Sequence, residues 1–128
     1  MIPFPYLSAH QTGSRYTVMP AVLDTDEDWL VLVEDLKATA KEMDDDFVLN
    51  PWSPCLPQEY NSEAETSWRF RAWRRGEVNL IVTDDRTMYL RSVAATLLAA
   101  KLNLKTKEER VELFRAIKFG DKHEGRLP

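Results

Sequence analysis

Two aspartates, Asp26 and Asp28, stand two residues apart just ahead of the apolar run Trp29-Leu30-Val31-Leu32-Val33. On a strand, side chains alternate between faces and each residue advances the chain about 3.3 Å, which would put both carboxylates on one face about 6.6 Å apart. Carboxylates that close can share a hard cation such as magnesium, which takes oxygen ligands and draws in phosphate oxygens. Upstream lies Thr12-Gly13-Ser14-Arg15-Tyr16. Gly13 lets the backbone turn tightly and come close to a bound phosphate. Successive amides at such a turn form a concavity for anions, the Ser14 hydroxyl adds a donor, and Arg15 can add a charge-assisted contact. The combined chemistry is capture of a phosphorylated ligand through a metal ion.

The same residues admit a second reading. Residues 25–43 also scan as a helix, with Thr25 as N-cap and Asp28 at the third helical position. Trp29, Leu32, Val33, Leu36, Ala40 and Met43 then fall at helical spacing. The acids would merely complement the helix dipole, and no site would exist. Against this stands the compact Trp-Leu-Val-Leu-Val run, rich in strand formers.

Taken together, the Gly-Ser turn and the Thr25-Asp26-Glu27-Asp28-Trp29 segment resemble the signature of the nucleotidyltransferase superfamily, the DNA polymerase beta-like fold. The likeness covers residues 5–34 and extends more weakly over 68–83. The spacing from turn to acids is one that the superfamily uses, a second reason to read strand then helix. The resemblance implies that Gly13, Ser14 and Arg15 hold nucleotide phosphates and that Asp26 and Asp28 hold magnesium ions, Mg2+ being the cofactor. It also places the 68–82 hairpin beside the metal strand. There the face bearing Arg69 and Arg71 either looks into the cleft, making Arg71 a nucleotide-binding residue, or is ordinary solvated surface.

The superfamily pattern puts a third carboxylate on a later strand, where it completes the catalytic metal site and helps deprotonate the attacking hydroxyl. The local match is Val78-Asn79-Leu80-Ile81-Val82, so Asn79 stands at the third catalytic position. An asparagine offers a carbonyl oxygen but no charge and no base. Glu77, two residues earlier on the same face, either substitutes with its longer side chain or is a surface acid at a turn edge. The short layout looks most like the stand-alone nucleotidyltransferase-like proteins of tailed bacteriophages. The expected function is magnesium-dependent transfer of a nucleoside monophosphate from an NTP to a hydroxyl acceptor, with RNA or protein among the candidate acceptors. The alternative is a catalytically reduced protein of the same fold that binds a nucleotide, RNA or host protein as an inhibitor or regulator. A third reading is an interaction module without a site.

Elements must position these residues. Residues 3–9 read as an edge strand leading into the 10–14 turn. A connector over 15–24, broken by Pro20, leads to a strand at 28–33 and a helix at 34–45. Asp44-Asp45-Asp46 makes a solvated helix end that opposes the dipole. In residues 50–66, Pro51, Pro54 and Pro57 argue against regular pairing or helix. Trp52 and Tyr60 there either cover a ligand or pin the loop onto the core. From Ser67 to Arg75 the residues alternate, with Trp68, Phe70 and Ala72 on one face and Arg69, Arg71 and Trp73 on the other. Arg74-Arg75-Gly76-Glu77 reads as a turn into a strand over 78–82, completing a hairpin. A helix capped by Asp84 or Asp85 runs to Leu102, with a stripe of Leu90, Val93, Leu97 and Leu98, and Asn103 closes it. Thr106 and Glu109 form a capping box for a helix to Phe119, which Gly120 ends. Residues 121–128 read as a flexible tail.

The prediction is one α+β domain over residues 1–120: a small mixed or antiparallel sheet with helices packed on one face. The formal charge, 17 − 21 = −4 over 128 residues, argues against a dedicated nucleic-acid coat but allows a local basic cleft. The single cysteine, Cys55, excludes an internal disulfide and any cysteine-cluster zinc site, and His10 and His123 have no metal-type spacing. With no signal-peptide pattern and no apolar run of membrane length, the expected compartment is the cytoplasm, that of the host if phage-encoded, and no membrane partner is expected. Leu97, Leu98, Ala99 and Ala100 give more apolar surface than one helix face needs, which would suit a homodimer.

Overall fold

Among the described residues, five strands pair into one mixed sheet in the computed structural model. The model describes residues 2–18, 26–45, 51–55 and 69–119. Thr25, Tyr60, Trp68, His123, Pro20, Pro57, Asp46, Gly120 and residues 121–128 lie outside these, as do the readings that rest on them. In chain order the elements are β1 (Ser8–Thr12), α1 (Ser14–Thr17), β2 (Glu27–Leu32), α2 (Leu36–Asp45), β3 (Ser53–Cys55), β4 (Phe70–Arg75), β5 (Val78–Thr83), α3 (Arg86–Leu102) and α4 (Lys107–Phe119). The sheet order is β1-β2-β5-β4-β3. Only the central β2–β5 pair is parallel; β1–β2, β5–β4 and β4–β3 are antiparallel.

The segment with two readings is therefore strand and then helix. Glu27–Leu32 pairs with strands on both sides, and α2 begins only at Leu36. A buried central strand satisfies its backbone and buries both faces, which an amphipathic helix over the same residues would not do. Leu30 to Val33 are all buried.

The class and the mixed sheet are as expected, but helices cover both faces of the sheet rather than one. Val31, Val33, Trp73, Leu80 and Val82 pack with Leu36, Ala40 and Met43 of α2 on one side. Leu30, Leu32, Phe70 and Ile81 pack with Met88 and Tyr89 of α3, and with Phe114 of α4, on the other. Both faces of β2 and β5 are apolar above the site, so each face needs a cover.

Three further expectations are corrected. Pro54 does not prevent pairing: β3 is an edge strand paired to β4 alone, where a missing N–H can face away from the ladder. The leucine stripe does not bury α3. Leu90 (58 %), Leu97 (48 %), Leu98 (37 %) and Leu102 (55 %) are exposed, while Ser92, Ala95, Thr96 and Ala99 lie fully buried. Small residues let the helix approach α1 and the β1–β2 edge closely. Its hydroxyls are satisfied there, Ser92 and Thr96 donating to carbonyls one turn back and the Thr96 and Thr12 hydroxyls meeting at 2.7 Å. The connector after Gly13 also begins as the single helical turn α1.

Trp52 is buried in the α2-side core, so it pins its loop. The caps follow the sequence. The Asp85 carboxylate accepts from the Met88 amide at 3.1 Å, and Asn103 takes the left-handed conformation that closes α3. The Thr106 hydroxyl accepts from the Glu109 amide at 3.2 Å, the capping bond, and donates to the Glu109 carboxylate at 2.7 Å. Among the described residues no helix is long and apolar enough to cross a membrane.

Candidate functional site

Register builds a polar row across the sheet. Thr12 pairs with Asp28, Asp28 with Asn79, Asn79 with Arg74 and Arg74 with Ser53. Residues in register share a face, so these five side chains lie on the α3 side, at the end of the sheet beyond the core layer of Leu30 and Ile81. Asp26, two residues before Asp28, joins the same face. The row sits where the β1–α1 turn and the β4–β5 turn meet the start of β2.

Asp28 is fixed from two directions. Its Oδ1 accepts a hydrogen bond from Asn79 Nδ2 at 3.2 Å. Its carboxyl group also packs onto Gly13. A Cβ built on Gly13 would fall inside the contact radius of Asp28 Oδ2 and would lie 3.1 Å from Cγ and 3.2 Å from Cβ of Asp28. Gly13 takes φ 78° and ψ 177°, a conformation that L side chains rarely adopt. The sequence reading gave Gly13 the role of approaching a phosphate. Here the group that approaches it is the Asp28 carboxylate, so Gly13 makes room for the acid. The amides of Tyr16 and Thr17 both turn back to the Gly13 carbonyl at 3.0 Å and are used in closing α1.

Asp26 is held by Arg74, its Oδ2 lying 2.9 Å from the guanidinium Nη1. The bond to Asp26 is the largest influence on Arg74, and with the charges of Asp26, Cys55 and Asp28 it outweighs burial and raises the guanidinium above its ordinary range. Asn79 completes the row. Its side-chain oxygen accepts from the Cys55 thiol at 3.5 Å while its amide nitrogen serves Asp28. Glu77 is an exposed acid at the β4–β5 turn, 3.6 Å from Arg15. Its carbonyl accepts from the Glu27 amide at 2.7 Å, which ties this turn to the start of β2.

The structure thus brings Gly13, Arg15, Asp26, Asp28 and Asn79 to one end of the sheet, with Ser14 next to Gly13 in α1. It does not bring Arg71 there. Arg71 and Trp73 lie on the α2 face, where the guanidinium sits 5.5 Å from the Trp73 ring centroid and 3.8 Å from Asp44. Arg69 pairs with Asp85 at 3.2 Å, at the start of α3. The arginine on the site face is Arg74, which the sequence reading placed in a turn. The available signal was alternation itself: counting on from Phe70 and Ala72 reaches Arg74. Thr12 and Ser53 carried no comparable signal, since their place in the row comes from register with β2 and β4, which also brings Cys55 to Asn79.

Among the described residues no group of three or more His, Cys, Asp and Glu side chains gathers as a metal cage. The donor set that does exist is two carboxylates on one face, with an asparagine beside one of them, and its chemistry suits a hard cation with oxygen ligands. Arg74 already stands as a cation against Asp26. The acids therefore fit a divalent ion once Arg74 gives up its contact. Asp26, Asp28 and Glu77 against Arg15 and Arg74 leave the site with excess negative charge. No protein-family model, curated protein or solved structure matches the chain, and the likeness to nucleotidyltransferases rests on the residues named above.

Proposed function

We propose that this chain is a magnesium-dependent nucleotidyltransferase that moves a nucleoside monophosphate from an NTP to a hydroxyl acceptor. The observation that supports it is Asp28, paired in register with Asn79 and packed against Gly13, with Asp26 on the same face. The turn and both acids thus lie together at one end of the sheet. Magnesium, when bound, would neutralise the phosphates and activate the attacking oxygen. In this reading Asp26 and Asp28 are the metal ligands and Asp28 is the better positioned of the two. Arg15 and Ser14 face the phosphate side, and Arg74 supplies the positive charge that the sequence reading assigned to Arg71. Catalysis is positioning and electrostatics more than proton transfer, because Asn79 provides no base.

Asn79 also favours a second reading. Its amide donates to Asp28, as a neutral structural partner would, so the same site can bind a magnesium-nucleotide without transferring it. A catalytically reduced protein of this kind would act on a nucleotide, an RNA or a host protein as an inhibitor or regulator. In either reading the exposed leucines of α3 would be covered by a second copy of the chain, which sedimentation velocity tests directly.

The deciding experiment is calorimetric titration of the four NTPs with magnesium, on wild type and on Asp26→Ala/Asp28→Ala. Binding that needs both magnesium and the acids is expected. A folded wild type that binds none of the four removes the transferase reading and leaves a reduced protein of this fold whose partner is RNA or another protein. With binding established, pyrophosphate release on offering RNA and protein acceptors separates transferase from binder.

A further inference from the structure

Building on the cation site just proposed, we infer that Arg74 is a built-in counter-cation: it holds Asp26 while no divalent ion is present and passes to the phosphate when one arrives. The geometry sets up the exchange. Arg74 lies in register with Asn79, whose other strand neighbour is Asp28, so the guanidinium reaches Asp26 from β4 across β5. It contacts Asp26, while Asp28 accepts from Asn79. Asp26 is thus paired with a solvent-facing cation, and Asp28 is oriented by an amide. The ion pair is also open to solvent, with the Arg74 and Asp26 side chains 41 % and 44 % exposed. Exposed pairs of this kind hold weakly, so a divalent ion can displace the guanidinium at a cost of only about two- to fivefold in affinity. Once displaced, the side chain remains on the same face, among acids that the metal has neutralised. The group it can then pair with is the phosphate oxygen that the metal brings. A guanidinium suits that role, since its fork of donors matches phosphate geometry. Without Arg74 the acids would repel each other in the empty site; with it, the resting state is stable and the cation requirement is sharpened.

The signature is a pair of effects with opposite sign. Arg74→Ala should bind Mn2+ alone about two- to fivefold more tightly than wild type, because the internal competitor is gone. The same variant should bind a preformed Mn2+–tripolyphosphate complex at least about fivefold more weakly, because the phosphate contact is gone. Calorimetry gives both constants, and electron paramagnetic resonance of free Mn2+ gives the first independently. Arg74→Met keeps the aliphatic stem on the sheet and serves as the second variant if the alanine fails to fold. Unchanged Mn2+ affinity, or unchanged affinity for the complex, overturns the exchange while leaving the cation site standing. Failure of wild type and both variants to bind Mn2+ overturns the exchange and the site together.

Discussion

Gly13→Ala is the sharpest perturbation of the site that needs no ligand. The added methyl meets two separate obstacles. Gly13 has φ 78° and ψ 177°, a region almost reserved to glycine, and forcing alanine into it costs about 1–3 kcal/mol. The methyl would also overlap Asp28 Oδ2 and crowd its Cγ and Cβ at 3.1 and 3.2 Å, so the acid must turn away from Asn79. Crowding of this kind adds about 1–2 kcal/mol. The expected loss is about 2–5 kcal/mol, a large part of the 5–15 kcal/mol by which domains are usually stable. For a chain of 128 residues that lowers Tm by roughly 10 °C or more. Guanidinium unfolding followed by tryptophan fluorescence should show a lower midpoint with an unchanged slope. The two terms separate in an Asp28→Ala background, where Oδ2 and Cγ are gone and only the Cβ contact remains. There the cost of Gly13→Ala should shrink to the backbone part, leaving a coupling of about 1 kcal/mol or more between positions 13 and 28. A Gly13→Ala protein within about 0.5 kcal/mol of wild type, or strict additivity of the two substitutions, would refute the close packing of turn and acid.

Other consequences are as direct. In the monomer, Ala99→Leu on the buried face of α3 should destabilise by about 1–3 kcal/mol through overpacking, whereas Leu97→Ala on the same helix should stay within about 0.5 kcal/mol, an order opposite to a leucine-stripe reading and measurable by thermal unfolding at concentrations too low for association. Asp85→Ala removes both the cap on Met88 and the partner of Arg69, so it should cost about 1–2 kcal/mol, more than Thr106→Ala at about 1 kcal/mol on the exposed start of α4. Asn79→Asp places a third carboxylate beside Asp28; it should lower stability without metal and restore it with Mg2+, seen as a Tm that rises with magnesium more steeply than in wild type. Arg71→Ala should leave nucleotide binding unchanged, since its contacts are Trp73 and Asp44 on the opposite face.

The local chemistry of the chain was sufficient for much of the architecture. Caps are set by side chains a few residues from the helix ends they serve, so Asp85, Asn103 and the Thr106–Glu109 box could be read directly. The β4–β5 hairpin followed from alternation around Gly76, and the α+β class from the sequence of periods. The turn at Gly13 and the acids at Asp26 and Asp28 were also legible, because a positive-φ glycine and paired carboxylates are uncommon requirements that few residue types meet.

What lay between elements was decided by packing. Whether residues 27–32 form a strand is settled by β1 and β5 arriving on either side, since Asp26-Glu27-Asp28 read alone suits helix and strand about equally and only the apolar run after it favours strand. The buried face of α3 could not be found from its leucines, because after Met88 and Tyr89 the helix lies so close to α1 and the β1 edge that its buried residues are alanine, serine and threonine. Above all, a strand's own pattern says which residues share a face but not which residue of a neighbour lies opposite. Register alone sets Asn79 against Asp28 and Arg74 against Asn79, and register is a property of the assembled sheet.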